Sequence, residues 1–281
     1  MESHLLFCIN SSCIRLLATC LYSVRKNGGL GRLSVHIIHR DLTEADIRFL
    51  EAFSDDQTQL HFISFDAKCI EDSPTTDRYP VEIYFRLFAP EILPSSIGKI
   101  LYLDVDTVCI NPIDELYHTD IEDYYFAGCT HTRKVLTQLN AIRLGVGLDS
   151  DYSYLNTGVL LMNLERLAEH YDRNRIIDFI RRKSRSLILP DQDVIMALYG
   201  SGIRLVDTFR YNLSDRMLRL NNLTPGSRHL DLSDVERETS IIHYCGRYKP
   251  WKPYYKGQLG RFYHELEREC GKYLDLKSDR V

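Results

Sequence analysis

Along the first part of the chain, apolar runs of strand length alternate with longer segments whose apolar positions recur at helical spacing. This is the pattern of an α/β fold with a mostly parallel central sheet flanked by helices. Leu5–Ile9 reads as a first strand. Cys13–Lys26 follows as a helix with Leu16, Leu17, Cys20, Leu21 and Val24 on one face, and it stops at Gly28-Gly29. Val35–Ile38 reads as a second strand, Thr43 starts a helix carrying Ile47, Leu50 and Phe53, and Leu60–Phe65 reads as a third strand. After a polar, Pro-containing loop at Glu71–Pro80, the pattern predicts a helix over Val81–Phe88 and a strand over Lys99–Leu103 that ends in Asp104-Val105-Asp106. Gly158–Leu164 then reads as a strand, Leu164–Lys183 as one helix and Asp191–Tyr199 as a shorter one. Ile203–Val206 and Ile241–Tyr244 read as late strands and Gly257–Cys270 as a terminal helix. No repeat or linker divides the chain, so residues 1–255 are expected to form one domain and 256–281 a C-terminal helical extension.

Composition narrows the class. The chain has 281 residues, 35 Lys+Arg against 39 Asp+Glu, and 44% hydrophobic residues, which is enough for a sizeable core and too balanced for a disordered chain or for binding nucleic acid by bulk charge. Glu2 stands where a secretory leader would carry positive charge, and the uncharged run Leu5–Ile14 is too short to span a bilayer, so a soluble cytoplasmic protein is expected, with membrane contact at most peripheral. Cys8, Cys13, Cys20, Cys69, Cys109, Cys129, Cys245 and Cys270 contain no Cys-x-x-Cys pair and read as packed thiols. Asn-x-Ser/Thr sequons at Asn10, Asn212 and Asn222 carry no meaning inside a cell. Gly29-Leu30-Gly31 precedes a strand instead of following one, and neither a P-loop, a Gly-x-Ser-x-Gly elbow nor a His-Glu-x-x-His helix occurs. Dehydrogenase, P-loop NTPase, α/β-hydrolase and zincin chemistries therefore lose support.

The informative segment is Lys99-Ile100-Leu101-Tyr102-Leu103-Asp104-Val105-Asp106. In extended geometry residues i and i+2 project to one side, so both carboxylates are expected to reach one point at the carboxyl end of a buried strand, where α/β sheets bind ligands. Two hard oxygen ligands suit Mg²⁺ or Mn²⁺, and such an ion suits a diphosphate. Taken alone, the pair is a weak signal, since acidic pairs also occur at turns as helix caps or solvated loop residues.

The pair is not alone. With Leu155-Asn156-Thr157-Gly158-Val159-Leu160-Leu161-Met162-Asn163, Pro190-Asp191-Gln192-Asp193 and His243-Tyr244-Cys245-Gly246-Arg247-Tyr248-Lys249-Pro250-Trp251, it resembles the ordered motif set of glycosyltransferase family 8. The pattern is similar to bacterial lipooligosaccharide α-galactosyltransferases and general stress protein glycosyltransferases, and Tyr84-Phe85-Arg86-Leu87 fits it as well. The resemblance implies a single Rossmann-like domain of the metal-dependent GT-A type. It also implies a UDP-sugar donor, Mn²⁺ with Mg²⁺ as the alternative, retention of anomeric configuration, and a glycan, lipid-linked or protein acceptor. By the same resemblance Asp104, Asp106 and His243 would hold the metal. Cys8, Asn10, Arg86, Asp104, Val105, Asn156, Thr157, Gly246 and Lys249 would bind the donor, and Gln192 and Asp191 would flank the reacting carbon. An imidazole beside two carboxylates favours Mn²⁺ over Mg²⁺ on chemical grounds, and a lysine at position 249 would offset charge developing on departing UDP.

The resemblance weakens after the first strand. Relatives carry an acidic residue and an aromatic there to grip uracil and ribose, whereas this chain has Asn10-Ser11-Ser12-Cys13. An amide is a poor nucleophile, so Gln192 favours front-face substitution, with Asp191 or Asp193 as the alternative covalent nucleophile. Two competing functions remain at this point: a nucleotide-sugar-binding protein with little turnover, and a nucleotidyltransferase or sugar-nucleotide phosphohydrolase on a similar sheet. Arg181-Arg182-Lys183 with Arg185 is the one basic run, read either as a solvated helix end or as a contact for anionic membrane.

Overall fold

Two strand-helix-strand crossovers, a hairpin-like return and a late pair of short strands build the molecule. A computed structural model describes residues 2–76, 79–132, 134–146 and 152–278. Strands β1 (Glu2–Ile9), β2 (Arg32–His39), β3 (Thr58–Ser64), β4 (Lys99–Leu103), β6 (Phe126–Cys129), β7 (Asn156–Asn163) and β8 (Ile203–Leu205) form one sheet in the order β3-β2-β1-β4-β7-β6-β8. β5 (Thr107–Cys109) and β9 (Ile241–His243) pair antiparallel outside it. The sheet is mostly parallel: β7 alone runs against its neighbours β4 and β6.

The first strands are longer than their apolar runs because β1 and β2 pair in register from Glu2↔Arg32 to Ile9↔His39, carrying polar ends into the ladder. The helix Ile14–Asn27 ends at Gly28 as expected, and Thr43 caps Glu44–Glu51 through a reciprocal capping box with Asp46. Three expectations change. Val81–Phe88 is a 3₁₀ helix that buries seven of its eight side chains, a period that the all-round apolar pattern hides. Leu164–Lys183 is two helices, Leu164–Glu169 and Arg173–Lys183, because the Asp172 carboxylate accepts from Arg175 N at 3.0 Å and caps a new start. β5, β6 and the helix Lys134–Leu144 are elements that the sequence pattern did not reveal.

Core side chains lie on both faces of the sheet. One cluster holds Leu6, Tyr84, Phe85, Phe88, Tyr102 and Met196; the other holds Leu5, Phe7, Leu17, Leu21, Phe53 and Leu161. The last helix, Gly260–Ser278, starts later and runs further than expected and lies on Ile14–Asn27, with Cys270 in the second core. Because β1 has β2 on one side and β4 on the other, the chain direction of winding reverses between β1 and β4. The carboxyl ends of those two strands flank the crevice that such sheets use for ligands.

Candidate active site

Leu103 ends β4, and the chain turns immediately. Thr107 N donates to Asp104 O at 3.1 Å, so Asp104-Val105-Asp106-Thr107 is a tight turn leading into β5. The two carboxylates therefore converge across a turn and not along an extended strand, which corrects the geometric expectation. Asp104 N donates to Gly158 O at 2.8 Å, continuing the β4–β7 ladder past its last residue and fixing the turn on the sheet. β9 brings the third group: His243 lies opposite Thr107, and its Nε2 stands 3.1 Å from Asp106 Oδ1 and 3.7 Å from Asp104 Oδ2.

The imidazole is held by a residue that the motif search passed over. Asn212 is fully buried; its Oδ1 accepts from His243 Nδ1 at 2.9 Å, and its Nδ2 donates to Asn156 Oδ1 at 3.0 Å. With the Nδ1 proton so engaged, Nε2 presents its lone pair to two carboxylates, an arrangement that requires a cation, either a second ring proton or a metal ion. Two further observations fit a metal. Asp106 Oδ1 is buried without accepting a hydrogen bond, and ligand atoms of Asp104, Asp106 and His243 all lie within 4.8 Å of one another. Gly158 completes the cradle: a Cβ there would lie 2.1 Å from His243 Cε1 and 2.8 Å from Asp104 Oδ2, so any side chain would displace the imidazole. Burial works against the charged form of Asp106, but His243 and Lys249 outweigh it and hold the carboxyl well below the usual carboxylate range. Lys249 Nζ donates to Asp106 Oδ2 at 2.5 Å and to Tyr244 O at 2.7 Å.

Arg86, 3% exposed, ties this cluster to the helix Pro190–Tyr199. Its guanidinium donates to Asp104 Oδ1 at 3.0 Å and to Thr157 O at 2.8 Å, stands 3.2 Å from Asp191 Oδ2, and lies 3.9 Å over the Tyr102 ring. Tyr102 OH donates to the same Asp104 oxygen. Asp191 is buried and accepts from Thr157 Oγ1 at 2.6 Å. Its burial pushes the carboxyl pKa up, partly opposed by Arg86 and by that hydroxyl. Gln192, half-buried, forms no side-chain hydrogen bond with any described residue. Asp193 is fully enclosed and saturated. It accepts from both Arg143 Nη atoms, from Tyr154 OH at 2.8 Å, and from the backbone N–H groups of Ile188 and Leu189 that open the helix. Asp193 is therefore engaged as a structural group.

The remaining sequence-nominated residues divide. Val105 sits in the acidic turn. Asn156 and Thr157 face inward as partners of Asn212 and of Asp191 and Arg86, so their polar atoms position other side chains. Gly246 does not adopt a left-handed conformation, and a Cβ on it would meet only Tyr248 O at 3.8 Å; neither backbone nor packing explains a glycine there. Cys8 is held as a thiol, its pKa pushed up to about 12 by burial. Asn10 caps the 3₁₀ turn Ser11–Cys13 and donates from Nδ2 to Glu82 Oε2 at 3.3 Å. Glu82 is itself buried against Arg40, so a carboxylate reaches the end of β1 from a distant segment. A separate cavity of about 670 Å³, lined in part by Asn111, Asp207, Arg210 and Val235, lies at the other end of β9 from His243 and shares no residue with this network.

A mostly parallel sheet with an acidic turn at its switch point, joined there by a histidine from a late strand, defines the GT-A class of glycosyltransferase. The solved structures agree: the galactosyltransferase LgtC, crystallised with donor and acceptor sugar analogs, superposes with a TM-score of 0.78 at 18% identity, covering 96% of each chain. A mutant form of LgtC gives 0.79 at 20% identity over the same share of both chains. The chain belongs to glycosyltransferase family 8, whose signature it matches over residues 4–254. It is 25% identical to a lipopolysaccharide 1,2-glucosyltransferase of Escherichia coli over 83% of this chain and 68% of that protein. It is also 25% identical to general stress protein A of Bacillus subtilis strain 168, over 68% of this chain and 66% of that one. A Haemophilus influenzae relative is 27% identical over 73% of this chain but only 59% of its own length, so the match spans about three fifths to two thirds of these relatives. Among the described residues, no helix is long and apolar enough to cross a membrane.

Proposed function

We propose that this family 8 chain transfers a hexose, glucose or galactose, from a UDP-sugar to a hydroxyl of a glycan, lipid-linked or protein acceptor, with retention and with Mn²⁺ assistance, in the cytoplasm. The observation that carries the reading is the lone pair of His243 Nε2 aimed at Asp104 and Asp106, with Lys249 beside them. Asp104, Asp106 and His243 would hold the ion, and the mixed oxygen and nitrogen donors favour Mn²⁺ over Mg²⁺. A bound divalent ion there supplies Lewis-acid stabilisation of the diphosphate leaving group.

The chain's own groups do the rest. Lys249 exchanges its contact with Asp106 for the β-phosphate and takes up leaving-group charge as a compact ammonium. The open space at Gly246 lets the backbone approach the same phosphate. Arg86 keeps Asp104 and Asp191 oriented, and Asn10 with Glu82 offers amide and carboxylate groups to the nucleoside, in place of the aromatic that relatives use. Asp191 is paired with Arg86 and Thr157, and Asp193 is locked by Arg143 and Tyr154, so neither carboxylate of this motif is free to form a covalent intermediate. This supports front-face substitution, with the Gln192 carboxamide nearest the anomeric carbon and the acceptor hydroxyl attacking from the side that UDP leaves.

Calorimetric titration of UDP-glucose and UDP-galactose with and without Mn²⁺, with UDP release followed in the same samples and repeated on Asp106→Ala, tests the proposal. Metal-dependent binding and release, both lost in the variant, is the expected result. Binding without release, even when acceptors are supplied, would leave a nucleotide-sugar-binding protein; no metal-dependent binding would overturn the reading.

A further inference from the structure

The helix Lys134–Leu144 is built inside out. Thr137, Ala141 and Leu144 face the protein, while Val135, Leu136, Leu139 and Ile142 point outward, each between 47% and 66% exposed. A surface helix ordinarily turns its apolar stripe inward, and four large apolar side chains on one outer face form a patch that single exposed leucines do not. The patch continues onto the neighbouring loop, where Ile188 is 63% exposed. Arg143 donates to Ser186 O, and a Cβ on Gly145 would approach Lys183 Nζ to 3.1 Å, so the basic run that ends the helix Arg173–Lys183 borders the apolar stripe. Arg181, Arg182 and Arg185 are exposed there and form no ion pair with a described residue.

We propose that this face docks on an anionic phospholipid bilayer. The apolar row would enter the headgroup boundary while the arginines engage lipid phosphates at its edge, the division of labour of interfacial amphipathic helices. Charge favours this occupant over a second copy of the chain: a symmetric pairing through the stripe would bring the two borders carrying Arg181, Arg182 and Arg185 together. Arg143 joins the helix to Asp193, two residues from Asp191, so docking would set the candidate site one helix away from the lipid surface.

Co-sedimentation of the full chain with phosphatidylcholine vesicles, with and without about 30% phosphatidylglycerol, tests this. Binding at least about tenfold stronger to the anionic vesicles is expected, lost in about 1 M salt, where the screening length falls to about 3 Å. Leu139→Glu with Ile142→Glu, and separately Arg181→Glu with Arg182→Glu and Arg185→Glu, should each weaken it at least about tenfold. The substituted side chains are exposed, so melting temperature and donor hydrolysis in solution should stay at parent values. Equal binding to both vesicle types, or full binding by either variant, would overturn the proposal. So would a concentration-dependent dimer in light scattering that Leu139→Glu with Ile142→Glu abolishes, which would assign the face to a second copy. The readout is partition and not turnover, so it stands or falls apart from the donor chemistry.

Discussion

Replacing Asp193 tests whether the last residue of the Pro190-Asp191-Gln192-Asp193 motif is architecture or chemistry. Its carboxylate is fully buried and accepts five hydrogen bonds: two from the Arg143 fork, one from Tyr154 OH, and one each from Ile188 N and Leu189 N. Asp193→Ala takes the acceptor from the Tyr154 hydroxyl and two backbone N–H groups, and it leaves the Arg143 guanidinium, 21% exposed, without its carboxylate partner, although Asn140 Oδ1 and Ser186 O still accept from it. Breaking one side of a buried ion pair costs about 3 to 5 kcal/mol, and the partial exposure of Arg143 places this case at about 4 kcal/mol. With 281 residues and an unfolding entropy of about 2.1 cal/mol/K per residue, that corresponds to a melting temperature lower by about 7 °C. Arg143→Ala should cost a similar amount, and the double variant should lose clearly less than the two single losses combined, because the contact is shared. Scanning calorimetry on the three variants reads this. An Asp193→Ala protein that melts within about 2 °C of the parent yet fails to release UDP would refute the structural assignment and restore Asp193 as a reacting group.

Three other outcomes follow from the geometry. Gly158→Ala should keep the melting temperature within a few degrees while weakening Mn²⁺ binding at least about tenfold by calorimetry, because the new methyl group occupies the space of the His243 ring. Asn212→Ala frees that ring to change tautomer and should weaken metal binding by about 10 to 100-fold, with Asn212→Asp recovering part of the loss because a carboxylate still accepts from Nδ1. On β2, one strand in from the edge of the sheet, His36, buried between His4 and His61, has its pKa lowered to about 4 by burial first and by the two neighbouring imidazoles second. The folded state therefore resists a proton that the unfolded chain accepts, so stability is full above about pH 6.5 and falls by about 2 to 3 kcal/mol between pH 6.5 and 4. Urea unfolding of His36→Gln across that range should show a flatter pH dependence than the parent, and an unchanged slope would contradict this account.

Much of the fold was legible in the sequence because its signals are local. Buried parallel strands need continuous apolar runs, and Leu5–Ile9, Val35–Ile38 and Lys99–Leu103 all lie in such strands. Thr43 and Gly28 mark a helix start and a helix stop through backbone hydrogen bonding that acts within a turn. The acidic pair, the histidine and the lysine were likewise nominated from short motifs, and the structure brings Asp104, Asp106, His243 and Lys249 to one point.

What the sequence could not express is anything that depends on a partner distant along the chain. The turn at Asp104–Thr107, which replaces the expected extended segment, is set by a ladder bond to Gly158, and the short β5 exists only because β9 pairs with it. Asn212 looked like an idle sequon until the fold set its amide between His243 and Asn156, and Glu82 is 72 residues from the Asn10 that it contacts. The outward apolar face of Lys134–Leu144 is invisible to periodicity, since a helical stripe reads the same whether it points inward or out. Local backbone and capping energies are written residue by residue, so the sequence by itself determined where strands and helices begin and which side chains could do chemistry. Tertiary packing alone decided which of those side chains meet, which are held in one tautomer or ion pair, and which face is left to the solvent.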